Sequence, residues 1–141
     1  NYQPYLAQQL VNMLLEEYKD TTIINCVLPN EPHFNGTIRC DLHWTHIHEM
    51  LKGAEGFISI DSCLQHFSAS AEKHGVVLWG STRWTQFGYS HNKNLQFHMK
   101  DDWDETKYVE SDPRNVMVEP KLIIDSFKKL DKDKPVACAT K

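Results

Sequence analysis

The apolar positions of this chain change their spacing several times, and each change marks an element. After Pro4, "YLAQQLVNMLLEEY" repeats hydrophobic residues at helical spacing, which puts Leu6, Leu10, Met13 and Leu14 on one face. Proline is tolerated in a first helical turn, where its missing N–H has no partner to lose, so the helix is predicted to open there. "TTIINCVL" then runs apolar and β-branched without alternation, the pattern of a strand covered on both faces. The Pro, Asn and Gly of "PNEPHFNG" predict a loop, and "TIRC" a short strand.

In "DLHWTHIHEMLKGAEG" the residues Trp44, Ile47, Met50 and Leu51 recur at helical spacing, with Gly53 as a terminator. "GFISI" reads as strand, "SCLQHFSASAEKHG" as helix and "VVLW" as strand. A β-α-β-α-β order implies a parallel sheet covered on both sides, so the expected fold class is α/β: a three-layer, Rossmann-like sheet with helices on both faces. Beyond Trp79 the pattern weakens. "GSTRWTQFGYSHNKN" has no period and reads as a long loop, and "LQFHM" as one more strand. Residues 100–115 are polar and irregular, a surface excursion. "EPKLIIDSFKKL" is a final amphipathic helix through Leu122, Ile123, Phe127 and Leu130. The expected organisation is one domain over residues 1–130 and a loosely held tail over 131–141.

Composition narrows the function classes. A net charge of −4 with scattered Lys and Arg argues against general nucleic-acid binding, which needs a dense positive surface. No apolar run is long enough to cross a bilayer, and no basic-then-apolar signal segment is present. Cys26, Cys40, Cys63 and Cys138 are spread out with no C-x-x-C pair, which favours a reduced, cytoplasmic setting without structural disulfides. The chain starts at Asn1 without Met, as a piece of something longer would. Eight histidines make the charge sensitive to pH, and by themselves name no function.

The candidate chemistry lies where the 56–60 strand meets the following helix. In an open parallel sheet, ligands bind beyond the carboxyl ends of the strands, where the next helix points its N-terminus. Asp61 sits at that edge. Ser62 and Gln65 form an S-x-x-Q capping box, leaving Cys63 and Leu64 to offer backbone N–H groups to an anion such as a diphosphate. His66, one turn in, is placed to reach back toward the same anion, and its protonation state is not fixed by spacing. Asp61 would repel phosphate and suits sugar hydroxyls or a neighbouring loop. On spacing alone, a capped helix with a satisfied histidine is the commoner arrangement, because binding sites are few per protein.

The order of these pieces adds to that reading. "MLKGAEGFISIDSCLQHFSASAEKHGVVLWGST" resembles the C-terminal half of the glycosyltransferase family 9 enzymes, the ADP-heptose:lipopolysaccharide heptosyltransferases and their relatives. Asp61, Ser62 and His66 match the family's D-[ST]-G-x-x-H segment, Ala69 and Ala71 lie near its alanines, and "LWGST" matches its strand-and-loop ending. The resemblance covers roughly residues 4–98 and implies the donor half of a GT-B fold, binding a nucleotide-diphosphate sugar. By the same resemblance Asp61, Ser62, Cys63 and His66 face the donor, with Gly80, Ser81 and Thr82 close by. Transfer in such enzymes needs no metal and no further cofactor. The acceptor and the general base belong to an N-terminal half missing here, so the chain alone is expected to bind donor without turnover. Cys63 departs from the family's glycine and adds a side chain beside the expected diphosphate. Where His66 stands, the comparable motif of nucleotide-sugar epimerases usually has glutamate, and a non-catalytic module that kept the fold is the remaining alternative.

Three other signals have simpler readings. "CDLHWTHIH" gathers Cys40, His43, His46 and His48, but on a helix only His43 and His46 share a face, so a solvated or core-edge role is favoured over zinc. Asp102-Trp103-Asp104 looks like a D-x-D metal clasp, and reads better as an exposed acidic loop. Arg83, Trp84, Gln86, Phe87 and Tyr89 suit stacking on a base and packing on the adjacent helix equally well.

Overall fold

A computed structural model of the chain describes residues 2–41, 43–80, 82–97 and 118–136. The polar excursion, the Asp102-Trp103-Asp104 loop, Ser81 and Cys138 therefore lie outside the described residues. The described chain runs α1 (Pro4–Glu17), β1 (Ile24–Cys26), β2 (Ile38–Cys40), α2 (Trp44–Gly53), β3 (Phe57–Ile60), α3 (Cys63–Ser70), β4 (Gly75–Trp79), α4 (Trp84–Phe87), β5 (Lys93–Gln96) and α5 (Pro120–Lys128). It is a mixed α/β fold of two small parallel sheets flanked by helices, one of order β1-β2 and one of order β3-β4-β5.

The expectation of one continuous β-α-β-α-β sheet is corrected here. β1 and β2 have three residues each and pair with one another in register, Ile24 with Ile38 and Cys26 with Cys40, instead of extending the β3–β5 sheet. Ile24 and Ile38 are exposed, so β1 is not covered on both faces as its apolar run had suggested, and β2 shares that open face. A side-chain amide clamp ties the preceding loop to α1, with Gln8 Nε2 donating to Asn35 O at 3.1 Å and Asn35 N donating to Gln8 Oε1 at 2.8 Å. Gly36, at φ 84°, lies where a Cβ would meet the Leu15 side chain, so the turn beside that clamp requires glycine.

β4 is the buried centre of the larger sheet, and all five of its residues are buried. Alternate residues of a strand point to opposite faces. Val76 and Leu78 accordingly join Leu10 of α1 and Ile123 and Ile124 of α5 in one cluster, while Val77 and Trp79 join Ile47 and Leu51 of α2 and Ala71 in another. Trp79 is fully buried, and its indole Nε1 donates to Asn94 Oδ1 at 2.9 Å, which satisfies the one polar atom that its burial strands. Gly75 opens β4 opposite Phe57, whose ring and carbonyl occupy the space a Cβ would need.

Several boundaries move from those expected. α3 ends at Ser70 because Glu72 takes φ 54° and the chain turns: Glu72 N donates to Ala69 O at 3.1 Å and Lys73 N to Ser68 O at 2.8 Å, the Schellman pattern with glutamate in the left-handed position. The loop after Trp79 contains the single turn α4, and β5 starts at Lys93, two residues before the expected strand at Leu95. Trp44 does not join the buried stripe of α2; it stacks on Phe67 with ring centroids 5.6 Å apart. Within the described part of the tail, 131–136, Lys134 O lies 2.7 Å from His74 Nε2, and Lys134 Nζ donates to Ser90 O at 2.7 Å.

Candidate functional site

The Asp61 edge forms where β3 ends. Asp61 N donates to Leu78 O at 2.9 Å, carrying the β3–β4 ladder one residue further, and Ser62 then leaves the sheet in an extended conformation as the N-cap of α3. Ser62 Oγ accepts from Leu64 N at 3.3 Å, so the predicted cap is present. The reciprocal half of the predicted capping box is not formed. Gln65 turns away from the Ser62 backbone and donates through Nε2 to Asp61 Oδ1 at 2.9 Å, the two residues being four apart and on one helical face. Gln65 is fully buried and its Oε1 has no partner, so the amide that holds Asp61 is itself only half satisfied.

Cys63 opens α3 as an exposed free thiol. Asp61, Ser62 and Cys63 are thus brought together at the helix N-terminus. Gly80 and Thr82 follow the carboxyl end of the neighbouring strand, β4, on the same side of the sheet. One side chain, Gln96 at the end of β5, holds that loop: its Nε2 donates to Gly80 O at 2.8 Å and Thr82 O at 3.2 Å, and its Oε1 accepts from Trp84 N at 3.3 Å.

His66, one turn into α3, has its nearest polar partner on the loop before β5. It is exposed, its Nδ1 lies 2.9 Å from Tyr89 Oη, and its ring meets the Tyr89 ring edge-on at 5.6 Å. Of the aromatics after the loop, Tyr89 packs on His66 and on His91, whereas Trp84 and Phe87 present exposed surface.

At the amino ends of the strands lies a group that sequence reasoning missed. Rings of His74 and His91 meet edge-on at 5.4 Å, and Tyr89 lies 5.5 Å from His91. His91 is 4% exposed, and neither ring nitrogen has a hydrogen-bond partner. Burial, then the charges of His74 and Lys134, push its pKa down to about 4. The signal was the register. Val76 pairs with Lys93, so extending the ladder backward sets Gly75 beside Asn92 and His74 beside His91. Asn92 Oδ1 indeed accepts from Gly75 N at 3.0 Å.

In "CDLHWTHIH", read as solvated or at the edge of the core, Cys40 is buried, His43 and His46 are exposed, His43 Nδ1 lies 3.2 Å from Thr45 Oγ1 and His48 Nδ1 lies 3.2 Å from Glu49 Oε1. Among the described residues, no three His, Cys, Asp or Glu side chains converge as a metal would require, and no helix is long and apolar enough to cross a membrane. A shallow groove of about 350 Å³ lies between α2 and α3, lined by Trp44, Thr45, His48, Phe67 and Ser70, and none of the Asp61-edge residues lines it. Comparison with protein-family models, curated proteins and solved structures gives no match to this chain.

Proposed function

We propose that this chain is the donor-binding half of a metal-independent, family 9-like GT-B glycosyltransferase, a three-layer Rossmann-like domain that holds a nucleotide-diphosphate sugar for transfer to an acceptor carried by an N-terminal half. The observation that supports it is that Asp61, the Ser62 cap and Cys63 follow β3 while Gly80 and Thr82 follow β4, at the carboxyl ends of adjacent parallel strands. In such a site the α3 N-terminus would meet the diphosphate, because its backbone dipoles favour negative charge and are already oriented when the leaving group develops it. Asp61, set back by its bond to Gln65, would accept from sugar hydroxyls instead of touching phosphate. Trp84 and Phe87 offer exposed aromatic faces for the base beside the same loop.

A second reading draws on the internal partners. Gln65 occupies Asp61, Tyr89 lies against His66, and Gln96 takes the carbonyls of Gly80 and Thr82, which favours a non-catalytic module that keeps these residues for architecture. Calorimetric titration of the folded chain with ADP, UDP, GDP and CMP, first without metal and then with magnesium, separates the two. On the donor reading one diphosphate binds without metal and raises the unfolding temperature, and Asp61→Ala weakens binding at least tenfold while the protein stays folded. Absence of binding by all four at millimolar concentration overturns it in favour of the second reading.

A further inference from the structure

β1 and β2 place Cys26 directly opposite Cys40 in a parallel register. Neighbouring strands lie about 4.8 Å apart with paired side chains leaving the same face, inside the window of about 4.4–6.8 Å between Cα atoms that a disulfide spans. Both are free thiols, Cys40 buried and Cys26 half-buried. They are close enough for the Cys40 thiol to act on Cys26 both by charge and as a hydrogen-bond partner. The backbone is held at this point as well, since Val27 N donates to Cys40 O at 3.2 Å. Sequence spacing had set these cysteines apart, and the strand register brings them together.

We propose that Cys26 and Cys40 form a two-electron thiol/disulfide couple, a modification site for a low-molecular-weight disulfide oxidant that covalently joins β1 to β2. In the first step the Cys26 thiolate attacks one sulfur of the oxidant, forming a mixed disulfide and releasing one small thiolate. Cys40 then attacks the Cys26 sulfur, forming the protein S–S bond and releasing the second. Two thiol protons pass to the two released thiolates; the protein pair is oxidised and the small disulfide is reduced to two thiols. Burial, with Cys40 beside it, raises the Cys26 thiol to about 11, so the first step is slow near neutrality and accelerates about tenfold for each pH unit gained below that value. The exposed Cys63 has no sulfur partner among the described residues and is the thiol expected to stop at a mixed disulfide.

The test uses the full chain carrying Cys63→Ser and Cys138→Ser, equilibrated with glutathione disulfide and glutathione both folded and in urea. Acid quenching, maleimide alkylation under denaturing conditions, intact mass and peptide mapping follow. Expected from the folded protein are a loss of two hydrogens, no maleimide uptake, a peptide cross-linked between Cys26 and Cys40, and an equilibrium constant at least tenfold larger than in urea. A glutathione adduct persisting on Cys26, uptake of two maleimides, or an equilibrium constant no larger than in urea overturns the couple. If the serine variant does not fold, the same peptides are read from the natural chain by differential alkylation, with the same outcomes deciding.

Discussion

His91 should make this protein acid-sensitive in a way that one substitution removes. Its pKa falls from 6.5 to about 4 on folding, because the ring is buried and faces His74 from the turn before β4, Lys134 from the 131–136 segment and Tyr89 from the loop before β5. Above pH 6.5 both states carry a neutral ring and His91 contributes nothing to the pH dependence. As pH falls from 6.5 toward 4 the unfolded chain takes up a proton that the folded chain refuses, and stability is lost; below 4 both are protonated and the loss is complete. With 1.36 kcal/mol for each pKa unit, it amounts to about 3 kcal/mol. His91→Leu removes two ring nitrogens that have no partner, so stability at pH 7 should be unchanged or slightly raised. The assay is urea unfolding at half-unit steps from pH 7.5 to 4 for both proteins. Carboxylates that titrate near 4 contribute equally to each and cancel in the difference. The natural chain should lose about 3 kcal/mol relative to the variant across that window. Parallel curves for the two proteins would refute the burial reasoning.

Three further perturbations test the fold. Gly75→Ala drives a methyl into the Phe57 ring and carbonyl, a backbone obstacle that cannot rotate away, and should lower stability by about 3 kcal/mol in urea unfolding with little change in slope. Glu72→Gly relieves a left-handed residue in the α3 terminus and should raise stability by about 1 kcal/mol, seen as a higher thermal midpoint. Trp79→Phe leaves Asn94 Oδ1 without its indole donor and shrinks a fully buried ring, and should destabilise by about 2–3 kcal/mol in urea unfolding.

What the sequence disclosed follows the range of the interactions. The opening of α1 at Pro4, the Ser62 cap and the buried "VVLW" strand depend on local chemistry, and each was readable from a few adjacent residues. Gln65 shows where local reading stops: three residues from Ser62 and four from Asp61, it fits a capping box and an i, i+4 side-chain pair equally, and only packing selected the second. The split into two sheets, the His74–His91 contact and the Cys26–Cys40 pairing are products of register between strands separated in sequence, which no window of neighbouring residues contains. The Gln96 clamp on the 80–84 loop is of the same kind, a single amide at a strand end reaching across the sheet.

The division into two sheets also gives the molecule two clocks. Backbone amides of β4 are enclosed between apolar clusters, so they can exchange with solvent only when those clusters come apart, close to global unfolding. β1 and β2 are three residues long, paired among the described residues only with each other, and open to water on their isoleucine face. The loop before β2 is tied to α1 by the Gln8–Asn35 amides and the close approach of Gly36 to Leu15. With one face open to water and strands of only three residues, the ribbon is the part of the sheet structure whose amides are expected to exchange through a local opening, faster than those of β4. An event at the ribbon can therefore be transient and frequent while the Asp61 edge, built on the slow sheet, keeps its shape.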